Sequence, residues 1–310
     1  MSINTTLQYI GHDLYQTQIL KERKRYVVFL LRCYFRKAEM GKLLDFFGAT
    51  SEREQILRKT TSFVEQTTRS FFYKKSTYGE RANIVKNHLT YLEQTLKYKA
   101  LEAIYVKGEA ISVWEESYGD KMLSLQLSFD AGQRKEGCLS LVLSLESKNG
   151  DERQRLYQII FWLSPSPHDN SPSLWIGALQ GSLDACDTIR ELTKAFFGYR
   201  TKNLIFYGIR NVAKMLSCEH IYAVANGGYY AMNNIRIDRK LKTSLDEFWL
   251  ECDGVRCEDK RFYEIPLDES RKSMEELKSQ KRAQYKRRFE KLDEISAVIE
   301  QTLKVYIRGQ

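Results

Sequence analysis

From about Ile104 to residue 181 the chain consists of short apolar or alternating runs joined by connectors of only a few residues, and this spacing constrains the fold most. AISVWEES, KMLSLQLSFD, GCLSLVLSLES and RLYQIIFWLS are separated by YGD, AGQRKEG and KNGDER. Alternation places every second side chain on one face of a strand. Parallel strands need a crossover of a dozen or more residues, so connectors this short predict an antiparallel meander. LWIGALQG (174–181) reads as the last strand before the chain turns helical, and HIYAVAN (220–226) as a strand that returns to the same sheet after a helical crossover. The expected fold class is α+β, with a mostly antiparallel sheet.

Upstream the period changes to that of helices. KERKRYVVFLLRCYFRKAEM, SEREQILRKTTSFVEQTTRSFF and GERANIVKNHLTYLEQTLKYKALEAI all read as helical, the third with Ile84, His88, Tyr91, Leu92 and Thr95 on one stripe and Val85 and Leu89 beside it. Downstream, SLDEFWLE reads as a short helix, RFYEIPL as a strand, and the charged stretch from about Glu269 as a long helix. The expected organisation is a helical N-terminal region (1–103), an α+β unit (104–268) and a basic C-terminal helix (269–310).

Of the 310 residues, 43% are hydrophobic and 12% aromatic, enough to supply a core, and three of the four prolines cluster at Pro165, Pro167 and Pro172. A proline-rich linker or low-complexity chain is therefore excluded. The net charge of +9 favours anionic partners: an anionic small molecule, a phosphorylated cofactor, RNA or an acidic membrane face. The six cysteines show no paired zinc-ligand spacing, and no metal is expected. MSINTTLQYIGHDLYQ lacks the basic-then-apolar order of a secretory signal, and YVVFLL is too short to span a bilayer. The expected location is cytoplasmic, with peripheral contact at the inner membrane and no transmembrane segment.

The succession LWIGALQG, IRELTKAFFGYRTKNLIFYGIRNVAKML, HIYAVAN, LDEFWLECDG and KRAQYKRRFEKLDEI resembles the bacterial VirK/YbjX family, as do IVKNHLTYLE and KEGCLSLVLSL. The resemblance spans most of the chain. It implies a cytosolic bacterial protein that supports virulence, surface-protein production and resistance to host antimicrobial peptides, and it names no reaction. Thr201 stands where the family commonly has proline, and NGGYY replaces the usual residues after the HIYAVAN strand.

The order of meander, glycine-containing turn, amphipathic helix and strand is similar, more remotely, to the core of the GNAT acyltransferases. In those enzymes a helix start holds the pyrophosphate of acyl-CoA, which implies acyl-CoA or coenzyme A as ligand here. First-turn N–H groups lack partners within a helix, and the macrodipole adds positive charge. Gly198, Tyr199, Arg200, Thr201, Lys202 and Asn203 are the candidates for that cradle, in front of the apolar stripe Ile205, Ile209, Val212, Ala213 and Leu216. The other reading of Gly198 is a helix C-cap following IRELTKAFF, with Arg200 and Lys202 as solvated charges.

Gln180 and Gly181 end one strand and Asn226 the strand expected beside it, so these three are candidates to bind the acyl substrate; the other reading of the two amides is that they satisfy local backbone groups. A general base would come from Glu191, His220 or Glu251, if the fold brings one of them to the cleft. Glu191 and Lys194 also read as an ordinary helical ion pair, and Phe248 and Trp249 as core. Cys218 with His220, and Cys252 with Cys257, lack a third partner, and His12, His88 and His168 read as packing or surface residues. In the C-terminal helix, Lys281, Arg282, Lys286, Arg287 and Arg288 with Tyr285 and Phe289 form a face for RNA or an anionic membrane, or simply an exposed charged helix. Two functional expectations stand: a GNAT-like acyl-CoA-dependent acyltransferase, or a non-catalytic protein binding RNA or an envelope-biogenesis partner.

Overall fold

The alternating runs pair into a meander in the computed structural model, which describes residues 2–130, 132–148, 150, 152–233 and 243–309. Strands β1 (Ile111–Tyr118), β2 (Lys121–Ser128), β3 (Leu139–Ser147), β4 (Arg153–Pro165) and β5 (Pro172–Gly181) are antiparallel neighbours in chain order. After helices α8 (Cys186–Ala195) and α9 (Thr201–Met215), strand β6 (His220–Val224) lies parallel to β5. Helix α10 (Leu245–Glu251) leads to β7 (Val255–Arg256) and β8 (Phe262–Ile265), and the sheet order is β1-β2-β3-β4-β5-β6-β8-β7. The protein is thus α+β, with an eight-stranded, mostly antiparallel sheet.

Three sequence-based boundaries shift. The stretch from Ile104 is a π-helical turn (Glu102–Lys107), so the sheet starts at Ile111. The two-residue β7 was not anticipated. The C-terminal helix α11 starts at Ser279 rather than Glu269 and runs to Lys304, with Leu292, Ile295, Ile299 and Leu303 of its second half buried.

The three N-terminal helical stretches resolve into α2 (Leu20–Tyr34), α3 (Lys37–Gly48), α4 (Ser51–Lys59), α5 (Ser62–Thr68), α6 (Tyr78–Thr95) and α7 (Tyr98–Leu101), and a further helix, α1 (Ile3–Leu14), precedes them outside those stretches. Helix α6 opens on a capping box: Thr77 Oγ1 accepts the Glu80 amide, and Glu80 accepts the Thr77 amide at 2.6 Å.

Strand register separates the two faces of the sheet. Leu123, Leu125, Leu141 and Ile159 share the face covered by α9, where a side-chain carbon at Gly208 would stand 2.8 Å from Leu125. Helix α11 packs on α9 and β1. The opposite face carries Trp162, which meets Phe72 and Tyr73, and is covered by α5, α6 and the segment between them. His88 of α6 joins the two layers. Its Nδ1 accepts the Leu163 amide at 3.1 Å, so Nε2 carries the proton and donates to Tyr105, whose hydroxyl donates to the Cys138 carbonyl. Burial lowers its pKa to about 3, which keeps the ring neutral.

Candidate active site

The parallel pairing of β5 with β6 stops at Ile176↔Ala223, yet β5 continues to Gly181. The 177–181 stretch therefore has no strand on its β6 side among the described residues. Gly177 is skipped in the β4–β5 register, where Ile160 pairs with Ala178 and Phe161 with Ile176. This bulge bends β5 as the pairing ends. Glycine is required there: a side-chain carbon at Gly177 would lie 1.8 Å from the Glu136 carbonyl oxygen.

Glu136 sits over this bulge, in the β2–β3 connection. It is 4% exposed, accepts from the Tyr229 hydroxyl at 3.0 Å and faces Gln180 Nε2 at 3.5 Å. Burial pushes its carboxyl up to about 7, against the opposing effect of the hydrogen bonds from Tyr229 and Tyr230 and the charge of Lys135. A carboxyl near neutrality at a cavity is what a general base requires. The cavity, of about 280 Å³, is lined by Glu136, Gln158, Gln180, Arg155 and Lys135.

The loop bearing Glu136 is held from α5. Gln66 Nε2 donates to the carbonyls of Arg134 and Gly137, and the fully buried Glu65 accepts from Tyr15, Arg69 and Arg134. Burial raises the Glu65 pKa, but Arg134, Tyr15 and Arg69 outweigh it and the net shift is downward. Sequence reading took AGQRKEG for a turn and missed Glu136. The available signal was its place in KEGCLSLVLSL, one of the segments carrying the family resemblance.

On the α9 face of the same strand ends lies a second cavity of about 480 Å³, lined by Tyr157, Arg190, Lys194, Arg200, Thr201 and Lys202. Tyr157 pairs with Gly181, and Gln158, its neighbour, lines the Glu136 cavity, so one cavity stands on each face of the β4 and β5 ends. The backbone amides of Thr201 and Lys202 bond no described residue, whereas those of Gly198, Tyr199 and Asn203 bond Thr193, Phe196 and Arg200 carbonyls. Thr201 is 1% exposed and its Oγ1 has no partner; Asn203 Oδ1 is likewise buried without one.

The remaining candidates disperse. Gly198 takes φ +75° just after α8, the left-handed end of that helix. The Arg200 guanidinium lies 2.5 Å from Glu251 of α10, and Lys202 sits 3.9 Å from the centre of the Phe248 ring, with burial lowering its pKa. Glu191 is exposed on α8 and makes no ion pair with Lys194 among the described residues. Asn226 spends both amide atoms on the start of α10, donating to Ser244 and accepting the Leu245 amide. His220 begins β6, seven residues short of the level of Gln180 on β5, roughly 23 Å away at strand rise. Burial opposes its protonation, but hydrogen bonds to Asp169 and Glu264 prevail and raise its pKa. Burial pushes the Cys218 thiol up to about 12, far from a nucleophile's range.

His168 lines a larger cavity, about 550 Å³, at the far end of the Trp162 face, where Trp175 stacks on Tyr222. Of the acids lining it, Glu80 holds the α6 cap and Asp259 pairs with Arg261, and both carboxyls are shifted downward. In α11, Arg288 and Arg282 donate to the Phe197 and Leu277 carbonyls, and Lys281, Arg282, Lys286 and Arg287 are exposed on that helix. Among the described residues no cluster of three potential metal ligands occurs, and no helix is long and apolar enough to cross a membrane.

A family model described as a protein of unknown function (DUF535) matches residues 18–301. An uncharacterized protein of Haemophilus influenzae is 24% identical over 270 residues, covering 85% of each chain. The uncharacterized protein YbjX of Escherichia coli is 31% identical over 231 residues, covering 68% of this chain and 69% of its own. No solved structure matches the chain. With a family model spanning nearly the whole sequence and YbjX among its relatives, the chain belongs to the DUF535 family, the VirK/YbjX family that its motifs resemble.

Proposed function

We propose that the protein is a GNAT-like acyltransferase that takes its acyl group from acyl-CoA or a related thioester. The observation that carries this reading is a buried carboxyl with a pKa raised to about 7, Glu136, placed against a bulged strand whose pairing with its parallel neighbour has just ended. A buried hydroxyl without a partner and two unbonded amides, at a helix start lined by cations, fit a phosphate group. Thr201 and Lys202 would hold it, with Lys194 and Arg190 beside them and Arg200 exchanging Glu251 for it. An acyl thioester supplies an activated carbonyl.

The chain's own residues divide the remaining work. Ionised Glu136 takes the proton from the acceptor's amine or hydroxyl as its bond to the acyl carbon forms and the carbon–sulfur bond breaks. Tyr229, already donating to Glu136, keeps that carboxylate oriented, and Gln180 lies beside Glu136. The biology implied by VirK/YbjX membership, support of virulence and of envelope functions, would then rest on acylation of an amine or hydroxyl.

Calorimetric titration with coenzyme A tests the reading. Binding should weaken as salt rises, and neutralising both Arg200 and Lys202 should weaken it by roughly tenfold; the exposed Arg200 contributes under about 1 kcal/mol to stability, while Lys202, half-buried against Phe248, contributes more, so thermal unfolding of the variant is measured alongside. Absence of coenzyme A and acyl-CoA binding to folded wild type at millimolar ligand would remove the acyltransferase.

A further inference from the structure

Helix α2 has two apolar faces, and only one is used. Phe29 and Cys33 are 1% exposed and face inward, where Tyr26 packs against α1 at Gly11. On the other side Leu20, Val27, Leu31 and Tyr34 are 69%, 47%, 50% and 67% exposed, flanked by Val28 and by Phe35 at 80%. At about 100° per residue, positions 20, 27, 31 and 34 fall within a stripe roughly 60° wide. A monomer gains nothing from leaving such a stripe in water, and contiguous exposed apolar surface marks an interaction site.

The charges beside the stripe say what it meets. Lys21, Lys24, Arg23, Arg25 and Arg32 belong to the same helix, against one carboxylate, Glu22, which is already bridged to Arg25. On the helical wheel Lys21, Arg25 and Arg32 lie to one side of the stripe, Arg23 lies to the other, and Lys24 stands between the stripe and Phe35. Lysine and arginine can lay their stems along apolar surface while their heads stay at the phosphate level. A second copy of this chain would bring like charges together. A convex apolar ridge bordered by cations, ending in two aromatics, fits an anionic lipid surface, where each cation adds about 1 kcal/mol.

We propose that α2 is the face by which the protein docks, without spanning, on an anionic bilayer. The geometry is independent of the acyl-transfer reading, since α2 lines neither the Glu136 nor the Thr201 cavity.

The test is co-flotation with vesicles of phosphatidylcholine alone or mixed equally with phosphatidylglycerol. Wild type should float with the mixed vesicles, far less with the neutral ones, and less again at high salt. The double variant Leu31→Glu, Phe35→Glu should fold as wild type and lose at least tenfold in lipid binding. A variant with Lys281, Lys286 and Arg287 changed to glutamate should keep it. The proposal is overturned if wild type fails to float, if the α2 variant floats unchanged, or if the α11 variant loses binding instead. It is also overturned if wild type is a dimer that the α2 variant dissociates.

Discussion

Tyr229 and the Gly177 backbone close over Glu136, and the resulting burial has a thermodynamic consequence besides its chemical one. The unfolded carboxyl titrates near 4.5 and the folded one near 7, so between these values the folded chain binds more protons. Stability therefore falls as pH rises through that window, and above it the full penalty stands, about 3 kcal/mol for a shift of this size. Glu136→Gln removes the ionisable group but keeps an oxygen that can accept from Tyr229. We expect urea denaturation to show the variant more stable than wild type at about pH 8, by roughly 1–3 kcal/mol, with the difference vanishing as pH falls below the unfolded carboxyl's value, near pH 4. Acyl transfer by the same variant should fall by about 10²–10⁴, the usual contribution of a general base. A Gln variant less stable than wild type at the higher pH would show that Glu136 is not held as a strained, neutral-prone acid. None of this was readable at position 136, because a glutamate in a charged connector looks solvated until other segments are laid over it.

Two glycines of β5 make opposite demands on their surroundings. At Gly177 the obstacle to a side chain is the Glu136 carbonyl at 1.8 Å, which cannot move without moving the loop; at Gly181 it is the Tyr157 ring at 2.9 Å, which can swing. Gly177→Ala should therefore cost at least the 1–3 kcal/mol or so of an overpacked site and reduce activity with it, whereas Gly181→Ala should stay within about 1 kcal/mol of wild type. Thermal unfolding of the pair decides this, and equal effects would mean that the bulge does not position Glu136. The elements themselves were largely legible. Alternation at 111–164 and the stripe of α9 are strong periodic signals, and each became the element it announced. The failures lie where the signal is short. IYV before Lys107 is apolar enough to imitate a strand but closes a helix, and β7 is only two residues long. The stretch after Glu269 is charged like the α11 surface but lacks the inward leucine and isoleucine spacing that holds the helix on α9 and β1.

Across the whole molecule one buried cluster runs from Leu7 and Ile10 of α1, through the sheet, to Ile299 and Leu303 of α11. His88, Glu65 and Gln66 add polar ties between the N-terminal helices and the sheet side. We therefore expect unfolding to be a single cooperative event. All four tryptophans, Trp114, Trp162, Trp175 and Trp249, lie in the sheet and its α10 neighbour, while much of the helix content lies before residue 102, so the two regions have separate probes. Tryptophan fluorescence and far-ultraviolet circular dichroism should give coincident denaturation curves. Separated midpoints would show that the helical region folds on its own.

By itself the sequence determined the meander, the crossover helix and the returning strand, because side-chain periodicity and connector length are local properties that survive in any tertiary context. The tertiary structure alone decided which of these groups meet. It engaged Asn226 at the start of α10 and paired Arg200 with Glu251, put His220 at the far end of β6 from Gln180, and brought Gln180 and Tyr229 to Glu136 from separate parts of the chain. The physical reason is that a pKa, an unpartnered hydroxyl or an exposed apolar stripe is set by what packs against a residue, and those neighbours are distant in sequence.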